Sequence, residues 1–105
     1  MNIEQKDTYS IVTVNAASEI AVNDIQALVQ NTDLVIVLDS SIPFSEELAS
    51  TLESLTEYTA EQEKALVVVH EDVAMMDAMD DYCVCLPTLS EAHDYIYMEQ
   101  LERNF

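Results

Sequence analysis

Two short polar segments hold most of the side chains able to do chemistry. Asp39, Ser40 and Ser41 follow one apolar run, and His70, Glu71 and Asp72 follow another. Carboxylates with an imidazole suit two kinds of chemistry. Asp39, His70 and Asp72 form a candidate ligand set for a divalent metal. A histidine beside carboxylates also suits acid–base work. A plainer reading makes each group structural. Asp39 then caps a loop, while Glu71 and Asp72 open a helix where the dipole favours negative charge. Ser40, Ser41 and His70 follow no pattern that demands a triad, so no catalytic residue is expected.

These groups need strands to bring them together. Leu34 to Leu38 (LVIVL) and Ala65 to Val69 (ALVVV) are continuous apolar runs bounded by polar residues. Such runs read as strands buried on both faces of a mostly parallel sheet. In such sheets the carboxyl ends of the strands are where ligands and partners dock. Tyr82 to Leu86 (YCVCL) reads as a third buried strand, and β-branched Tyr9 to Val14 (YSIVTV) as the first of the chain. Residues 1–7 are polar and read as frayed or as a short edge. Glu19 to Val22 reads as an extended piece that pairs with 9–14 in an N-terminal hairpin.

Helices fill the intervals. Asn23 and Gln26 make a start signal, with Ile25, Leu28 and Val29 as the apolar stripe. Ser45 caps a long helix with Glu46 and Glu47 in its first turn and Leu48, Leu52 and Leu55 facing inward. Val73 to Met79 is a short helix in which Met75 and Met76 cannot both face the core. Thr88 and Glu91 form a capping box for the last helix, which carries Leu89, Ala92, Ile96 and Leu101 inward. Tyr95, Tyr97 and Met98 then leave an aromatic patch outside, suited to a partner or to a second copy of the chain. His93 is expected to face solvent.

The alternation β, β, α, β, α, β, α, β, α predicts one α/β domain over residues 1–105, with right-handed crossovers. Its 105 residues and 50% hydrophobic content allow one modest core.

Charge narrows the partners. The net charge is −18, with Lys6, Lys64 and Arg103 the only lysines and arginines. Nucleic acid and anionic membrane are therefore excluded as expected partners, and a basic protein or a divalent cation fits better. No apolar run is long enough for a membrane span, and MNIEQKDTYS does not read as a signal peptide, so a cytoplasmic location is expected. The chain has no glycine. Glycine-rich phosphate loops are thereby excluded, no cofactor is expected, and positive φ would fall to Asn or Asp. Cys83 and Cys85 are two apart, which places them on one face of a strand as small core residues.

Two resemblances follow from these motifs. DLVIVLDSSIP, with Leu86-Pro87 before a capped helix, resembles the receiver domain of response regulators. The phosphate-binding lysine of that family would fall on Leu86, and only 32 residues precede the central strand, too few for the family's acidic pair. A working phosphoacceptor is therefore not expected. LVIVLDSSIPFSEELASTL and VCLPTLSEAHDYI together resemble the STAS domain of anti-anti-sigma factors, from about Tyr9 to the end. That resemblance implies a mixed sheet with an N-terminal strand pair and helices packed against it. It implies a regulatory module, not an enzyme, that binds a protein partner such as a basic or kinase-like regulator. The docking and phospho-loop candidates it names are Asp39, Ser40, Ser41, Phe44, Ser45, Glu46 and Glu47. Regulated members carry Asp-Ser-Ser/Thr-Gly where this chain has Phe44-Ser45-Glu46-Glu47-Leu48. Ser45 is the nearest acceptor, and Glu46 or Glu47 would supply a fixed negative charge in place of phosphoserine.

Overall fold

The computed structural model describes residues 2–6, 8–16, 25 and 32–103. Five strands form one sheet in sequence order. Strand β1 (Asn2–Gln5) is antiparallel to β2 (Tyr9–Val14). Strands β3 (Asp33–Leu38), β4 (Leu66–Val69) and β5 (Val84–Leu86) follow, each parallel to its predecessor. Helix α1 (Glu46–Glu61) joins β3 to β4, α2 (Val73–Met79) joins β4 to β5, and α3 (Leu89–Arg103) follows β5. The mixed sheet, the N-terminal strand pair and the flanking helices are as expected.

The hairpin partner differs from the expectation. Tyr9–Val14 pairs with Asn2–Gln5, in the register Asn2↔Thr13 to Gln5↔Ser10. Residues 19–22 lie outside the described residues, as does the stretch 23–31 apart from Ile25, which is helical and fully buried. The polar sequence NIEQ suits β1 because it is an edge strand, exposed along most of its length.

Strand order dictates the layers. When parallel strands advance steadily in one direction, right-handed crossovers put their connecting helices on one face. That face holds Val12, Val14, Leu34, Ile36, Leu38, Leu66 and Val68 against Leu48, Leu52 and Leu55 of α1 and Met75 and Met79 of α2. Met76 is half-buried. Helix α3 connects nothing further among the described strands and covers the opposite face, packing Ala92 and Ile96 on Tyr9, Ile11, Val35, Val67 and Val69. Alternate residues of the central strands thus enter different cores, which is why these strands read as unbroken apolar runs. The last strand is shorter than the run Tyr82 to Leu86, and it is half-buried because it lies at the sheet's edge. Cys83 is buried in the α1/α2 core and Cys85 packs partly buried against it, but of the two only Cys85 lies on β5.

Helix α3 is oriented differently from the apolar pattern. Leu89 and Leu101 are 44% and 37% exposed. The stripe toward the sheet is Ala92, Ile96, Gln100 and Arg103. Its last two members reach Asp33, the first residue of β3, which is 2% exposed. Arg103 Nη2 and Gln100 Nε2 donate to Asp33 Oδ2 at 2.7 and 2.8 Å, and the Ala65 amide donates to Oδ1 at 2.8 Å. Burial alone would raise the Asp33 pKa; the Arg103 hydrogen bond, then the Ala65 and Gln100 bonds and the Arg103 charge, outweigh it and hold the carboxyl below its ordinary value.

Helix α1 ends on a Schellman motif. The Lys64 amide donates to Thr59 O at 2.8 Å and the Glu63 amide to Ala60 O at 3.0 Å. Glu63 takes the left-handed position usually given to glycine, with φ 60°. Among the described residues it is the non-glycine residue with positive φ, so this role fell to neither Asn nor Asp. Its carbonyl accepts from Arg103 Nη1 at 2.7 Å.

Candidate functional site

The carboxyl ends of β2 to β5 gather on one edge of the sheet, and both chemistry-bearing segments lie there. Asp39 leaves β3 in an Asx-turn. Its Oδ1 accepts from the Ser41 amide at 2.9 Å and the Ser41 hydroxyl at 2.7 Å. Those two bonds hold its carboxyl below the ordinary carboxylate value. The backbone closes the same turn, with the Ile42 amide donating to Asp39 O at 3.0 Å. Ile42 then drives into the α1/α2 core at 4% exposure and pins the loop from below.

His70 supports that loop from the neighbouring strand. It is 1% exposed. Its Nδ1 lies 3.0 Å from the Asp72 amide, which can only donate, so Nδ1 accepts. Its Nε2 lies 3.3 Å from Ile42 O, which can only accept, so Nε2 carries the proton. The ring is therefore a neutral strut between the 39–45 loop and the start of α2.

This arrangement does not assemble the ligand set Asp39, His70 and Asp72. Both ring nitrogens of His70 are engaged by backbone groups. Asp72 is turned to its own helix, its Oδ1 accepting from the Ala74 and Met75 amides at 2.9 and 3.4 Å. Asp39 is turned to Ser41. Among the described residues no three His, Cys, Asp or Glu side chains are placed to hold a metal ion together. Asp39 and Asp72 have the local capping roles that their positions suggested, whereas the bridging role of His70 was not expected.

The loop continues exposed through Pro43 and Phe44 to Ser45, which caps α1. Ser45 Oγ accepts from the Leu48 amide at 3.1 Å in extended backbone. Glu46 and Glu47 are exposed in the first turn. Phe44 is 40% exposed and stands between this acidic helix start and the serines of the Asx-turn.

On the α3 side of the same edge lies a cleft of about 420 Å³. Val37, Val69 and Leu89 line it with Asp39, Ser40 and Glu71. Asp39 and Ser40 thus border the cleft, whereas Ser41, Phe44, Ser45, Glu46 and Glu47 lie outside its lining. No family model and no curated protein matches this chain.

Sequence reasoning missed two features, one at this edge and one toward the amino end of β2. The first is the cleft itself, for which the exposed Leu89 is the signal: it reads as inward on helical spacing but sits at the first position of α3, ahead of the packed turns. The second is the hydrogen bond from Tyr9 to His93, with 2.9 Å between the phenolic oxygen and Nδ1. His93 is exposed as expected, but its ring is tilted against Tyr9 at 5.6 Å between centroids. Among the described residues, no helix is long and apolar enough to cross a membrane.

Proposed function

We propose that this chain is a small acidic regulatory module of the cytoplasm, STAS-like, that acts by binding a protein partner through residues 39–48. The observation that carries this reading is a pinned and exposed loop. From Asp39 to Glu47 every residue but Ile42 is exposed, while Ile42 and His70 fix the backbone beneath. A preformed loop loses little entropy on binding, and an exposed aromatic such as Phe44 is the type of residue that dominates contact energy. With Glu46, Glu47 and Asp39 around it, the surface favours a basic partner, a kinase-like regulator included.

The α1 start in this reading is a fixed acidic surface and not a phospho-switch. The Ser45 hydroxyl already caps the helix, and a phosphate there would stand beside two carboxylates. Affinity capture from the native organism tests the docking surface. Wild-type protein is expected to retain a partner that both Phe44→Ala and the Glu46→Lys/Glu47→Lys double variant lose. A partner held equally by both variants would sink the reading. Mass spectrometry after incubation with candidate kinases tests Ser45, and stoichiometric phosphate on it would restore the switch.

A further inference from the structure

We propose that the carboxyl-edge cleft binds a basic, apolar-flanked segment of a partner protein, an arginine or lysine set among leucine-like side chains. This rests on the docking reading above and adds to it a second contact, on the α3 face of the sheet, with a stated chemistry.

The cleft supplies two kinds of recognition. Its apolar lining comes from Val37, Val69 and Leu89, and Leu89 is 44% exposed there. Its charge comes from Asp39 and Glu71. About 420 Å³ accommodates one or two side chains.

The distribution of cations decides the charge of the guest. Lys6 lies in the turn before β2, its amide donating to Tyr9 O at 2.8 Å. Lys64 lies two residues before β4, and Arg103 binds Asp33 at the start of β3. All three lysines and arginines of the chain therefore stand where the parallel strands begin. Where those strands end, Asp39, Glu46, Glu47, Glu71, Asp72 and Glu91 have no lysine or arginine among them. An anionic guest is repelled from this edge, and a purely apolar guest leaves the carboxylates unused. A cation on an apolar stem satisfies both features at once.

The test is an NMR titration of the ¹⁵N-labelled full chain with an acetylated, amidated pentapeptide alternating leucine and arginine, at physiological salt. Amide shifts are expected to concentrate at residues 13–15, 37–40, 69–71 and 88–89. Leu89→Ser is expected to weaken binding by roughly fivefold through lost apolar contact. Asp39→Asn with Glu71→Gln is expected to weaken it by about as much and to flatten its salt dependence. Asp39→Asn keeps an acceptor for Ser41, so the turn survives. The corresponding leucine–glutamate peptide is expected not to bind.

Shifts spread over the whole acidic surface, indifferent to Leu89→Ser, would overturn the proposal. So would shifts centred on Tyr97 and Met98, or cleft shifts that appear on concentrating the protein without peptide, which would mark a second copy as the occupant. The Phe44 capture experiment reads a different surface. If it succeeds while the peptide misses the cleft, the docking loop stands and the cleft assignment falls.

Discussion

The Asp33 carboxylate and the Arg103 guanidinium meet at 2.7 Å across 70 residues of sequence. They tie the end of α3 to the start of β3, next to the turn that closes α1. Arg103→Ala leaves Asp33 buried with one charged donor gone, and is expected to cost about 3 kcal/mol, less than a fully buried pair because Arg103 is partly exposed. Urea unfolding followed by circular dichroism measures it. A cost below about 0.5 kcal/mol, the range of ordinary surface changes, would show the pair to be ornamental.

The same pair fixes a pH dependence. Asp33 has a lower pKa folded than unfolded, so the unfolded state binds its proton first. The stability it contributes is fully present above the ordinary carboxylate range and is lost as pH falls through the lower folded value. Wild type is expected to lose more stability than Asp33→Asn on passing from neutral pH into that acid window. Parallel acid limbs for the two proteins would contradict the assignment.

Glu63 holds a left-handed conformation that costs a side-chain-bearing residue roughly 1 kcal/mol. Replacing it with glycine removes that cost while keeping the carbonyl that Arg103 uses. Glu63→Gly is therefore expected to raise stability by about 0.5–1 kcal/mol, a few degrees in Tm. A lower Tm would mean that the Glu63 side chain contributes contacts outweighing its backbone cost.

His70→Ala removes the strut under the docking loop and leaves the Asp72 amide and the Ile42 carbonyl without it. A cost of about 2–4 kcal/mol is expected, from the cavity and the lost hydrogen bonds together. Calorimetric titration with Mg²⁺, Mn²⁺ and Zn²⁺ is expected to show no stoichiometric site that depends on His70. Tight binding abolished by His70→Ala would revive the enzyme reading.

Burial pushes the Cys83 thiol up to about 12 and Cys85 up to about 11, with nearby carboxylate charge adding to both. At pH 8 almost none of either is thiolate. Both are expected to react with a thiol reagent at least tenfold more slowly in native protein than in urea. Equal rates would show that β5 opens freely.

The central sheet was legible because its signals are local. Unbroken apolar runs, Ser45 as a cap and the Val73–Met79 helix each follow from neighbours in sequence. What escaped notice depends on distance. NIEQ is polar enough to be read as frayed or as a short edge, and it becomes β1 only because β2 has a free edge. Gln100 and Arg103 look like outward polar residues until Asp33, buried 67 and 70 positions away, calls for donors. Glu63 takes positive φ because no glycine is present and the Schellman turn fixes the position. At the candidate site, the roles of Asp39, His70 and Asp72 turned on which atom faces which backbone group, and residue type does not carry that information.

The placement of the lysines has a practical side. Both Lys6 and Lys64 stand at the sheet end opposite the docking loop and the cleft. Lysine-directed coupling to a bead, a dye or a sensor surface therefore grips the molecule by its back. Held through either lysine side chain, the molecule keeps its binding edge facing outward.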